Sequence, residues 1–112
     1  MGQVYDRVYM LVQRIPSGRV LTYGLISNLM GGNLSAQGVG WALKALPEKP
    51  GKGQYSVANV PWHRVINSQG RLSTQRNPNI PPGLQKVLLQ KEGIKFDQDD
   101  CLDLKKYLWQ DF

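Results

Sequence analysis

Val60-Pro61-Trp62-His63-Arg64-Val65-Ile66-Asn67 sets the only histidine of the chain between a tryptophan and an arginine. Val65 and Ile66 favour an extended backbone, and Pro61 steers Val60 away from helix. The stretch therefore reads as a rigid turn leading into a short buried strand. The polar groups of a Trp-His-Arg triplet at such a place need partners or a use, because burying them alone is costly.

Working outward, the chain before this turn reads as helical. Apolar residues at Val4, Tyr5, Val8, Leu11, Val12 and Ile15 predict a helix from Gln3 to Ile15, ended by Pro16-Ser17-Gly18. Val20 and Leu21 read as a short extended connector. Thr22 is the expected N-cap of a second helix, Tyr23 to Met30, with Leu25, Ile26 and Leu29 facing inward. Gly31-Gly32-Asn33 predicts a tight turn, and Ser35 caps a third helix from Ala36 to about Leu46, stopped by Pro47. Two capped helices joined by a glycine turn make a helix-turn-helix pattern at about residues 22–46. In the third helix Trp41, Leu43 and Leu46 are placed inward, and Gln37 and Lys44 outward. Gly38 and Gly40 each cost the helix roughly 1 kcal/mol relative to alanine. That points either to close helix packing or to a face held hard against another backbone, such as a duplex.

After the central stretch, Asn67-Ser68-Gln69-Gly70 predicts a turn and 74–83 a proline-rich loop. Leu84, Val87 and Leu88 mark an amphipathic helix ending at Gly93, Ile94-Lys95-Phe96 a short strand, and Asp103 the cap of a last helix carrying Leu104, Tyr107 and Leu108. The Gly/Lys-rich run from Glu48 to Ala58 is expected to be a mobile, cationic loop.

A length of 112 residues fits one domain. Fourteen basic against eight acidic residues give a net charge of +6 and a pI near 9.7, which suggests a polyanionic partner, nucleic acid first. One cysteine and one histidine supply neither an internal disulfide nor a zinc site, so no metal or other cofactor is expected. The N-terminus does not read as a signal peptide and no run approaches a membrane span, so the chain is expected to be soluble and intracellular.

Pro61-Trp62-His63-Arg64-Val65, preceded by Ile15-Pro16-x-Gly18-x-Val20-x-Thr22-Tyr23-Gly24 and the helix-turn-helix, resembles the O6-alkylguanine-DNA alkyltransferase family. In the enzymes of that family a cysteine holds the place of Trp62, and its thiolate takes the alkyl group from the damaged base. The resemblance is to the non-enzymatic, alkyltransferase-like branch. It implies a mainly α single domain with short strands over residues 1–112, winged helix-turn-helix-like and resembling the alkyltransferase C-terminal domain. The motif lies at 61–65 and a lesion-pocket loop at about 67–83. An indole offers no nucleophilic lone pair comparable to a thiolate. Cys101 lies far from the motif among acidic neighbours and reads as inert, so no alkyl transfer is expected.

The resemblance further implies a DNA damage sensor. It would enter duplex DNA from the minor groove, extrude O6-alkylguanine, hold the base, bend the DNA and flag the lesion for nucleotide excision repair proteins. The implied DNA contacts are Thr22, Tyr23, Ser35, Ala36, Gln37, Gly38, Gly40 and Lys44. The implied base pocket comprises Tyr23, Trp62, Val65 through its carbonyl, Ser73 and Arg76, with Gln75 competing for the last place. Gln37 stands where the family usually places an arginine pushed into the duplex, so a positive charge and a stacking guanidinium are missing. His63 and Arg64 read as structural. The implied protein is a cytoplasmic monomer, on the nucleoid when bound. A small helix-turn-helix transcriptional regulator and a residual alkyltransferase are the alternatives.

Overall fold

Val65-Ile66, at the end of the central stretch, forms a strand (β2) that pairs in parallel with Leu21-Thr22 (β1), in the register Leu21 to Val65 and Thr22 to Ile66. The computed structural model describes residues 2–49, 54–72 and 77–110. Successive strand residues point to opposite faces, and here each face has its own core. Leu21 and Val65 join one apolar cluster with Val8, Val12, Ile26, Val39 and Leu46. Val20 and Ile66 join a second with Leu89, Ile94, Leu102 and Tyr107. A third segment docks on the other side of Val20, whose N–H donates to the Tyr107 carbonyl at 3.0 Å and whose carbonyl accepts from the Trp109 N–H at 2.9 Å. The two-stranded sheet is thus a seam between the two clusters.

The first cluster is built on three helices: α1 (Gly2–Gln13), α2 (Tyr23–Leu29) and α3 (Ala36–Lys44). Both expected caps are present. Thr22 Oγ1 accepts from the Leu25 N–H at 3.1 Å and Ser35 Oγ from the Gly38 N–H at 3.0 Å. Gly31 and Gly32 make the turn with φ of 73° and 77°, while Asn33 is not left-handed. Ser27 Oγ donates to the Leu34 carbonyl at 2.6 Å and closes the turn against α2. Tyr9 is buried, and its hydroxyl donates to the Ala42 carbonyl at 2.6 Å, so α1 holds the end of α3. Burial also pushes the Tyr9 hydroxyl up to about 12, with Tyr5 and Asp6 adding to the shift.

Two inward assignments in these helices are corrected. Leu29 is 40% exposed, and Met30, one residue on, fills the core in its place. Trp41 is 51% exposed, because Val39, Ala42, Leu43 and Leu46 already occupy the buried side of α3.

Helix α4 (Leu84–Lys91) exists as expected, but with a different inward stripe. Gln85 and Leu89 are buried, whereas Val87 is 45% exposed. The polar Gln85 is inward because its Nε2 donates to the Val65 carbonyl at 2.9 Å and the His63 carbonyl at 3.2 Å. The strand expected at Ile94-Lys95-Phe96 is reduced to one bridge between Phe96 and Leu102. Asp103 caps α5 (Leu104–Tyr107) through the Lys105 N–H at 3.0 Å. The loop expected to be mobile is pinned at its far end. Ser56 is buried, the Val57 N–H donates to the Pro47 carbonyl at 2.9 Å, and the Tyr55 ring lies 5.3 Å from that of Tyr9. Residues 50–53 of that loop lie outside the described residues.

Candidate nucleic-acid interface and base pocket

The central motif is a tight double turn. Pro61 (φ −76°, ψ 65°) sits at the middle of an inverse γ-turn, in which the Trp62 N–H donates to the Val60 carbonyl at 2.7 Å. A single 3₁₀ turn follows over Trp62–Arg64, and the chain then enters β2. This geometry leaves Trp62 half-buried against the first core cluster, with its ring edge-on to His63 at 5.8 Å and 83°. Tyr23 also packs on that cluster, one residue beyond the paired Thr22. Tyr23 follows β1 and Trp62 precedes β2, so the two rings leave opposite ends of the parallel pair and share only their packing on the first cluster.

His63 and Arg64 turn the other way, onto Glu92 at the end of α4. His63 Nε2 lies 2.6 Å from Glu92 Oε2. Arg64 donates from Nε to both carboxylate oxygens at 3.1 Å and from Nη2 to Oε2 at 2.8 Å, while its Nη1 donates to the Ile15 carbonyl at 2.8 Å. The Gly18 N–H adds a bond to Glu92 Oε1 at 2.9 Å. Burial alone would raise the Glu92 carboxyl, but Arg64, Gly18 and His63 outweigh it and hold it down to about 2. For His63, burial is the main influence and lowers its pKa. Glu92 opposes that shift, and the Arg64 charge adds to it. Near neutral pH the imidazole is therefore neutral and donates from Nε2 to an ionised carboxylate. The expectation that His63 and Arg64 are structural agrees with these bonds, which tie the motif to the segment from Ile15 to Gly18 and to the end of α4.

The other expected site residues divide by exposure. Ser35, Ala36, Gln37 and Lys44 are exposed on the start and outer side of α3. Gly38 and Gly40 are buried. A Cβ at Gly38 would lie 2.5 Å from Leu34 Cδ1, so that glycine serves packing within the helix-turn-helix. Thr22 is buried and engaged as the cap. Val65 is fully buried, and its carbonyl accepts one bond from Gln85 Nε2. Ser73, Gln75 and Arg76 lie outside the described residues.

Sequence reasoning missed Asn77 and Gln85, both buried amides. Asn77 Nδ2 donates to the Leu43 and Leu46 carbonyls at 3.1 and 2.9 Å, anchoring the loop after β2 to the end of α3. An Asn-Pro-Asn turn signal marks the place in the sequence, but nothing local names the helix it clasps. Among the described residues no group of three or more His, Cys, Asp or Glu is placed to hold a metal ion, and no helix is long and apolar enough to cross a membrane.

Fold and motif together define a helix-turn-helix domain of the alkyltransferase type, with tryptophan at the acceptor position. Residues 3–94 match the DNA-binding domain of 6-O-methylguanine DNA methyltransferase. The chain is 38% identical to alkyltransferase-like protein 1 of Schizosaccharomyces pombe, over 98% of this chain and 97% of that protein. It is 36% identical to a DNA base-flipping protein of Vibrio parahaemolyticus, over 98% and 99%. Its backbone superposes on S. pombe Atl1, solved with damaged DNA containing O6-carboxymethylguanine, with a TM-score of 0.81 at 36% identity, covering 98% and 97% of the two chains. The chain belongs to the 6-O-methylguanine DNA methyltransferase family, on its alkyltransferase-like, non-enzymatic branch.

Proposed function

We propose that this protein binds duplex DNA containing O6-alkylguanine from the minor groove, extrudes the modified base and holds it without removing the alkyl group. The observation that carries the reading is Trp62: a half-buried indole stands on the motif turn where a thiolate would be needed for transfer. The neighbouring His63 is bonded to Glu92. Stacking on an aromatic ring is worth about 1–3 kcal/mol per base, against a few kcal/mol to extrude one. Trp62 therefore offsets much of the extrusion, and phosphate contacts supply the rest.

In this reading Tyr23 and Trp62 line the pocket above Val65, and Ser73 and Arg76 of the following loop complete it. Ser35, Ala36, Gln37 and Lys44 face the duplex. Thr22 and Gly38 act from beneath, by setting the cap and the close packing that present this surface, and Gly40 is buried beside them. The protein works as a cytoplasmic monomer, associated with the nucleoid when bound. The bent, persistent complex is the signal that nucleotide excision repair proteins read.

Intact-mass measurement after incubation with an O6-methylguanine duplex, paired with analysis of the recovered DNA, tests the claim of binding without chemistry. The expected result is a retarded complex, an unchanged protein mass and DNA that is still methylated. A protein heavier by one methylene would make it a transferase instead.

A further inference from the structure

From Arg7 to Pro47 the chain holds four basic residues and not one acidic residue, so the whole helix-turn-helix is free of negative charge. On its third helix Gln37, Trp41 and Lys44 are all exposed. Their spacing of four and three residues puts them on one face. Trp41 is the anomaly there, a large apolar side chain that is 51% exposed between two polar neighbours. Tryptophan is seldom left in water without a use, and an exposed apolar group within a polar, cationic rim marks a contact site.

We propose that Trp41 is a second DNA-contacting residue, an apolar wedge that lies in the minor groove beside Gln37 and packs against sugars and base-pair edges. This rests on the duplex-bound reading above and deepens it. The occupant follows from charge: a face with a lysine, a glutamine and no carboxylate suits a polyanion better than it suits an ordinary protein surface. The helical rise sets Trp41 roughly 6 Å along the axis from Gln37, about two base steps of a duplex. Gln37 at one step and Trp41 at the other would share the unstacking and the bend, in the way apolar wedges open minor grooves. The contribution is non-electrostatic, so it makes up for the charge that glutamine lacks without adding to the salt dependence.

The test compares wild type with Trp41→Ala and Trp41→Phe on one duplex, with and without a central O6-methylguanine. Dissociation constants are measured over a series of salt concentrations, and bending by energy transfer between end labels. Trp41→Ala should weaken binding to both duplexes about tenfold, leave the salt slope unchanged and reduce the bend, while Trp41→Phe restores most of each. Lys44→Ala, by contrast, should lower the salt slope by about one. Trp41→Ala binding both duplexes as tightly as wild type overturns the inference, and is the outcome expected if this face takes a protein partner. If wild type shows no preference for the modified base yet Trp41→Ala still weakens duplex binding, the lesion reading fails and this one stands.

Discussion

Glu92 gathers three donors onto one carboxylate, and the consequences for stability have a definite sign. Its pKa falls from 4.5 to about 2 in the folded protein, and that of His63 falls below its ordinary 6.5. In both cases the unfolded chain binds the proton more readily, so stability rises with pH. It is complete above about 6.5, declines as His63 is forced to charge, and declines again between 4.5 and about 2 as Glu92 is protonated. Urea unfolding across this range should show both steps. Glu92→Gln should remove the lower one and cost about 2–3 kcal/mol at neutral pH, because Arg64 loses its charged partner. His63→Gln should remove only the upper one. A profile that stays flat on acidification would mean that the three side chains are not joined as described.

Among the elements, the third helix depends on distant residues for its end. Asn77 donates to the Leu43 carbonyl in its last turn and to the Leu46 carbonyl just beyond it, and Asn79 Nδ2 adds one to Leu46 at 3.3 Å. Asn77→Ala would leave the Leu46 carbonyl held by Asn79 and the Leu43 carbonyl by the Leu46 N–H, each weakened, at a cost of about 1–2 kcal/mol. Thermal or urea unfolding measures it directly, and a loss below about 0.5 kcal/mol would show that water replaces the amide without penalty.

The helix-turn-helix itself was legible in the sequence because its signals are local: hydroxyl caps at Thr22 and Ser35, and a glycine pair between them. The phase of α4 was not, since a buried Gln85 is favourable only once the Val65 carbonyl stands opposite it. Trp41 was misplaced for a related reason. Hydrophobicity pointed inward, while Val39, Ala42, Leu43 and Leu46 already filled that side. Trp62 and its place on the turn were legible from the motif, but the loop residues Ser73 and Arg76 remain a matter of the proposed complex.

At the scale of the whole molecule, the two apolar clusters meet at a short parallel sheet. One strand leads directly into the helix bearing Tyr23, and the other emerges from the turn bearing Trp62. In the proposed reading the net charge of +6 draws in any duplex, and Trp62 contributes the largest part of the discrimination. The most direct measurement is the ratio of dissociation constants for a guanine duplex and the same duplex with one O6-methylguanine, taken for wild type and for Trp62→Ala. The account predicts a wild-type ratio of about ten or more, equivalent to the stacking of one base, and a ratio near one for Trp62→Ala, whose affinity for plain DNA is kept. A wild-type ratio of one, or an undiminished ratio in Trp62→Ala, would contradict it.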